Sequence, residues 1–436
     1  MTESVAPTAF SHRQRSLFYS GESIMKLIAR IIAWLVAVII VVAIGAASWL
    51  YVFPPELIRV ADAYSAKIVC SSVFVSGRTM DEAFKVDVQA PGNPMLKYIK
   101  VEQVGADRID ASFKGVLARE SAVYRPGLGC ASVPTHDIDA VRAIKLAKPY
   151  TPPAPSDFEW PLGDTVSRDP DPRVQALIAD PKLSGPGMRA IVVVKDGRLA
   201  ADAYAPGFTA DTPLLGWSMT KTVIGALISA RIQDGDLKWE QDHLFAEWTD
   251  DRAAITIANL MAMQSGLKLQ ESYGDVNDVT RMLFLEADQA AFVRDKPLEA
   301  KPGSTFNYTT GTGVALARIL MNTFSDPQAA LTYPRTALFD PIGMHSAVLE
   351  TDAVGTFSGG SLMYANARDW ARFGLLLANG GDWNGEQVLP AEFAVKAGAA
   401  TAVSGGRYSE ALTWKSGTGE NNPEPSTLPA DAFWLL

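Results

Sequence analysis

Ser218 and Lys221 stand three residues apart in Gly216-Trp217-Ser218-Met219-Thr220-Lys221-Thr222-Val223-Ile224, where helical apolar spacing begins. Side chains at i and i+3 share one face of a helix, so the hydroxyl and the amine come within reach of each other. A serine at a helix start also sits beside free backbone N–H groups, which favour negative charge. A lysine in an apolar pocket loses its proton more readily and can then activate the hydroxyl as a nucleophile. The chemistry this pair could do is acyl transfer by the S-x-x-K logic. The same spacing recurs at Ser23…Lys26 and Ser265…Lys268. Neither of those begins a helix, and both read as coincidence. For Ser218 the plain alternative is a helix cap beside a surface lysine.

A second segment adds to the first. Pro302-Gly303-Ser304-Thr305-Phe306-Asn307-Tyr308-Thr309-Thr310-Gly311 is a turn-rich approach to a helix, with Tyr308 just before it. A tyrosine near a lysine can have a lowered pKa and shuttle a proton between serine, leaving group and water. Its plain alternative is an aromatic ring packed under a loop. Other chemistries find less support. No G-x-S-x-G elbow occurs, and His12, His136, His243 and His345 are scattered without triad context or ligand spacing. Two cysteines are too few for a cysteine-rich zinc module. A net charge of −9 offers no positive field for a nucleic-acid backbone.

The elements that must position these residues follow from periodicity. Ala190–Tyr204 reads as two strands around Lys195-Asp196-Gly197, hence a hairpin. Ser218–Ala230, Ile257–Met263, Val314–Met321 and Asn366–Leu377 carry helical spacing, with Asn366 and Asp369 resembling a cap and first-turn acid. Upstream, Lys67–Val75 and Tyr98–Val104 look strand-like, between Cys70 and Cys130. Ile31 to Phe53 is a 23-residue run without a charge, long enough to span a bilayer. Lys26 and Arg30 precede it, so the positive-inside rule puts the N-terminus in the cytoplasm and the rest outside. A cleaved signal peptide ending near Gly45-Ala46-Ala47 is the rival reading. An oxidising compartment would permit a Cys70–Cys130 bridge, with two buried thiols as the alternative. The expected organisation is a cytoplasmic tail or mis-called start over 1–24, a signal anchor over 25–53, and a small extracytoplasmic module over 60–147. A proline-rich linker (148–156) and a hydrolase domain (157–436) complete it.

Taken together, WSMTKTVIGALI, ITIANLMAMQSGL (Ile255–Leu267), PGSTFNYTTG, LFDPIGMHSAV and Gly359–Gly381 resemble the serine β-lactamase-like hydrolases. The likeness is to the class C/esterase branch, which includes 6-aminohexanoate-dimer hydrolase, and it runs from about Ala190 to Trp383. The resemblance implies a fold that is α/β plus all-α, an antiparallel sheet flanked by helices with a helical subdomain. It implies Ser218 as nucleophile, Lys221 as its activating partner and Tyr308 as proton shuttle. The substrate would be a small amide or ester, and no cofactor or metal is needed. Asp369 and Arg372 read as helix-face residues. Tyr308-Thr309-Thr310 departs from the Y-x-N of penicillin-recognising members, which favours the esterase/amidase branch. The late K-T-G-type motif, whose strand supplies one N–H of the oxyanion hole, is matched by Lys415-Ser416-Gly417 in an unusual Gly/Asn/Pro-rich setting. The apolar finish at Phe433-Trp434-Leu435-Leu436 is read as a strand cut short, hence a C-terminally truncated chain. A peptidoglycan-directed peptidase or β-lactamase, and a non-catalytic envelope binding protein of the same fold, remain as competing readings.

Overall fold

A computed structural model describes residues 13–90, 92–154, 156–166, 171–415 and 432–435, with backbone alone over 13–22. The chain forms two units, Met1–Pro55 and Glu56–Leu436. Among the described residues the first holds one helix, α1 (Arg13–Val52). Its stretch Ser23–Val52 is long and apolar enough to cross a membrane, as an anchor or as a signal sequence. Its isoleucines, valines and leucines are exposed from Ile24 to Val52, as a lipid-facing surface requires.

The second unit opens with α2 (Glu56–Phe74). A four-stranded antiparallel sheet follows in simple order: β1 (Ile99–Val104), β2 (Arg108–Phe113), β3 (Leu117–Arg125) and β4 (Gly129–Ser132). Ala66, Ile68 and Val69 of α2 pack on Ile109, Ala111 and Ala122 of the sheet. Cys70 and Cys130 join helix to sheet through a disulfide, with Cα atoms 6.1 Å apart. Lys67–Val75 thus lies within and just after a helix and is not a strand. Its β-branched residues suit either element, and burial all round removes the periodicity that would have separated them.

The hairpin is present as β5 (Ala190–Lys195) and β6 (Arg198–Tyr204). Asp196 (φ 51°) and Gly197 (φ 75°) both adopt left-handed backbone in its turn, as a two-residue hairpin loop demands. A second antiparallel sheet runs β7-β9-β8, from β7 (Leu214–Leu215), β8 (Val348–Leu349) and β9 (Met363–Ala365). The principal helices here are α3 (Met219–Gln233), α4 (Asp278–Leu285), α5 (Thr310–Asn322) and α6 (Ala367–Ala378). Val223, Ile224 and Leu227 of α3, Val314 and Leu316 of α5 and Phe373 of α6 meet in one core, which Val60 and Ala63 of α2 also enter. Both α3 and α5 are buried on nearly every side, so neither shows a single apolar stripe.

Two further observations tie the first sheet to this core. Arg125 donates to the carbonyls of Thr351 (2.7 Å) and Asp352 (3.1 Å). Glu350, fully buried, pairs with Lys67 and accepts from Ser71 Oγ (2.7 Å) and Cys130 N (2.7 Å). Asp369 and Arg372 form a buried ion pair at 2.6 Å, and Asp369 also accepts from Ser346. These contacts hold α6 in place.

Candidate active site

Ser218 is the residue immediately before α3, and its side chain makes no capping bond to that helix. The hydroxyl is therefore free of the structural role that the plain alternative would assign it. Trp217, just before, sits at φ 44°. A bulky residue in left-handed backbone stores strain, and such positions cluster at functional sites.

Lys221, 1% exposed, lies one turn into α3. Its Nζ is 2.8 Å from Ser218 Oγ, 2.8 Å from the Gly360 carbonyl and 3.2 Å from Thr310 Oγ1. Burial pushes its pKa down to about 8, and Glu271 pulls in the opposite direction. The Gly360 carbonyl reaches this position through close backbone packing. A Cβ on Gly360 would lie 2.2 Å from the Thr310 carbonyl, and one on Gly313 would lie 2.7 Å from Gly360 Cα. Only glycines let the start of α5 and the 359–361 segment converge on the amine.

Thr310 links the amine to a carboxylate. Its Oγ1 donates to Glu271 Oε1 at 2.5 Å, and its backbone N–H donates to Glu271 Oε2 at 2.9 Å. Tyr273 donates its hydroxyl to the same Glu271 Oε1 at 2.7 Å. With its own proton given to Glu271, Thr310 Oγ1 can only accept from Lys221. Thr310 thus occupies the third position of the Tyr-x-x motif with a hydroxyl in place of an amide, and that hydroxyl reaches the lysine.

Tyr308 stands over the same group, its ring centroid 4.7 Å from Lys221 Nζ. Its hydroxyl is hydrogen-bonded to Ser218, and Trp414 also bonds it. From sequence, a tyrosine beside a lysine is expected to have a lowered phenol pKa. The structure reverses the sign: burial raises it, and the bonds to Ser218 and Trp414 only partly oppose that. Tyr308 is thus a neutral phenol at ordinary pH, suited to giving a proton. Its ring packs on Trp414 (centroids 5.0 Å apart) and Tyr408 (5.7 Å).

Trp414 belongs to β10 (Trp414–Lys415), which pairs with β11 (Phe433–Trp434). The strand carrying Lys415 therefore abuts the site, whereas Ser416 and Gly417 lie outside the described residues. Ser218, Lys221 and Tyr308 are brought together. Sequence reasoning missed Glu271, Tyr273, Gly360 and Trp414 and read Thr310 only as a missing amide. Their contacts cross between segments far apart in the chain, so no local spacing announces them. Among the described residues no group of three or more histidine, cysteine, aspartate or glutamate side chains could hold a metal ion.

A cavity of about 490 Å³ opens beside the site, with Trp217, Ser218 and Tyr273 on its wall. This volume is within the range of small-molecule sites.

A sequence-family profile described as Beta-lactamase matches residues 175–428. Among solved structures, one described as a 6-aminohexanoate-dimer hydrolase from Bacillus anthracis is 24% identical. That match covers 52% of this chain and 64% of that one, with a TM-score of 0.46. This chain thus spans less than two thirds of that structure's length. FmtA from Staphylococcus aureus is 13% identical over 60% of this chain and 78% of its own, at TM-score 0.44. A penicillin binding protein from Bacillus halodurans is 15% identical over 52% and 78%, at TM-score 0.41. No curated protein matches the chain.

Proposed function

The chain belongs to the Beta-lactamase family of serine hydrolases, and from that premise we propose that it cleaves small amides or esters through an acyl-enzyme on Ser218. The observation that carries this reading is the set of contacts around Lys221 Nζ. A neutral amine has two N–H bonds and one lone pair. The Gly360 carbonyl can only accept, and Thr310 Oγ1 has given its proton to Glu271. Both N–H bonds are then committed, and the lone pair is left facing Ser218 Oγ.

In this mechanism Ser218 Oγ attacks the substrate carbonyl carbon while its proton passes to Lys221 Nζ. The new C–O bond forms as the bond to the leaving alcohol or amine breaks. Tyr308 gives that leaving group a proton and is reprotonated from Lys221 beside it. Water then attacks the acyl carbonyl, its proton goes to Lys221, and the free acid departs as Ser218 regains its hydrogen. The fold alone does not choose the substrate. Thr310 in place of an amide supports the amidase/esterase branch, with activity like that of a 6-aminohexanoate-oligomer hydrolase, over a peptidoglycan peptidase or β-lactamase.

The reading extends to location. Lys26 and Arg30 ahead of the apolar run, together with the Cys70–Cys130 disulfide, support a catalytic unit on the periplasmic side of the membrane, tethered by α1.

The test is turnover of p-nitrophenyl acetate and of a chromogenic cephalosporin by the full chain in lipid nanodiscs, beside Ser218→Ala. Ester cleavage that Ser218→Ala abolishes supports the proposal. Cephalosporin cleavage without ester cleavage would favour the β-lactamase reading, and neither activity in a folded protein would favour a binding protein.

A further inference from the structure

The cavity at Ser218 has an unusual origin. More than half of its lining residues precede residue 175, outside the family-matched segment. Leu57, Val60 and Ala61 come from α2, and Met95 and Leu96 from the turn before β1. Phe284 of α4 and Trp217 add further apolar lining. The cavity that Ser218 lines therefore takes much of its apolar wall from the N-terminal part of this unit.

The geometry points to an unbranched aliphatic acyl chain as the occupant of this cavity, held by α2 and the 92–96 turn. The inference rests on the acyl-enzyme reading above. Once the leaving group departs, the acyl group is the part covalently fixed to Ser218 Oγ, so the cavity onto which Ser218 opens must hold it. A wall of leucine, valine, alanine, methionine and phenylalanine offers a chain apolar contact along its length and few partners for a polar group. Tyr273, Asp275 and Thr280 are grouped in the 273–280 segment. On the α2 side the polar groups of Tyr64 and Asn93 have partners of their own, the Tyr64 hydroxyl donating to the Asp87 carbonyl and Asn93 Oδ1 accepting from Met95 N–H. Binding energy from such a chain is available to orient the carbonyl at Ser218.

The experiment uses the full chain in nanodiscs and p-nitrophenyl esters from acetyl to octanoyl. We expect kcat/KM to rise by up to about fourfold per added methylene while the chain is extending into the cavity. Met95→Trp, which fills the cavity from the turn, should lower the octanoyl-to-acetyl ratio at least about tenfold, the value of two or so lost methylenes. Ala61→Leu should shift the ratio the same way and guards against misfolding of either variant. Val116→Trp places the same indole at an exposed position away from the cavity and should keep the wild-type ratio. Partitioning of long esters into lipid is common to all variants and cancels in the comparison. Acetyl ester cleaved with a flat length profile would overturn this inference and leave the hydrolase reading intact. So would a length dependence carried by alkyl acetates, or one unchanged in both cavity variants. No ester cleaved at all would remove both.

Discussion

Lys221 is where burial and charge compete most directly. Desolvation lowers its pKa to about 8, and the Glu271 carboxylate, bridged through Thr310 Oγ1, works against that shift. Only the unprotonated amine can accept the serine proton. The rate of Ser218 acylation should therefore climb about tenfold per pH unit below its midpoint and level off above it, with the midpoint near 8. Glu271→Gln removes the negative charge that favours the ammonium, so its midpoint should move to lower pH. Fluorophosphonate labelling rates between pH 6 and 9 read both; a flat profile, or an upward shift in Glu271→Gln, contradicts the assignment. At this scale the serine–lysine pair was legible because one helical turn fixes it. The sign of the Tyr308 shift was not, because it depends on burial under Trp414 and Tyr408, which are about a hundred residues away in the chain.

Elements decide whether these residues meet. The hairpin, the helix bearing Ser218 and the Asn366 cap are local patterns, and Asn366 accepts from Asp369 N at 2.8 Å as its position suggested. Lys67–Val75 reads as a strand because α2 from Val60 to Cys70 is buried on nearly every face, which leaves no stripe to read. Its junction with the second sheet rests on Lys67 and Glu350, 2% and 0% exposed. Burial lowers the Lys67 pKa, and the Glu350 carboxylate beside it opposes that shift. Lys67→Met would leave Glu350 without its cation, though still bonded to Ser71 and Cys130 N. The expected loss is about 3–5 kcal/mol of stability, as for other broken buried pairs. Removing both charges with Lys67→Met/Glu350→Met should recover part of it, measured by thermal unfolding in nanodiscs. A single variant as stable as the parent would show that the pair contributes nothing at this junction.

At the scale of the whole molecule, the disulfide closes a loop of 60 residues between α2 and β4. Chain-entropy reasoning assigns such a cross-link about 4 kcal/mol. Cys70→Ser/Cys130→Ser should melt at lower temperature than the oxidised parent, and reductant should lower the parent's Tm without affecting the double variant. The same bridge ties α2 to the rest of the unit, so its loss should also weaken any selectivity owed to the α2 wall of the cavity. All of this presupposes that Ser218 is an activated nucleophile. The direct measurement is intact mass of the full chain after treatment with a fluorophosphonate, with Ser218→Ala beside it. One adduct on the parent, mapped to Ser218, and none on the variant is the predicted result. An unmodified parent that is folded, or equal labelling of Ser218→Ala, would contradict the account.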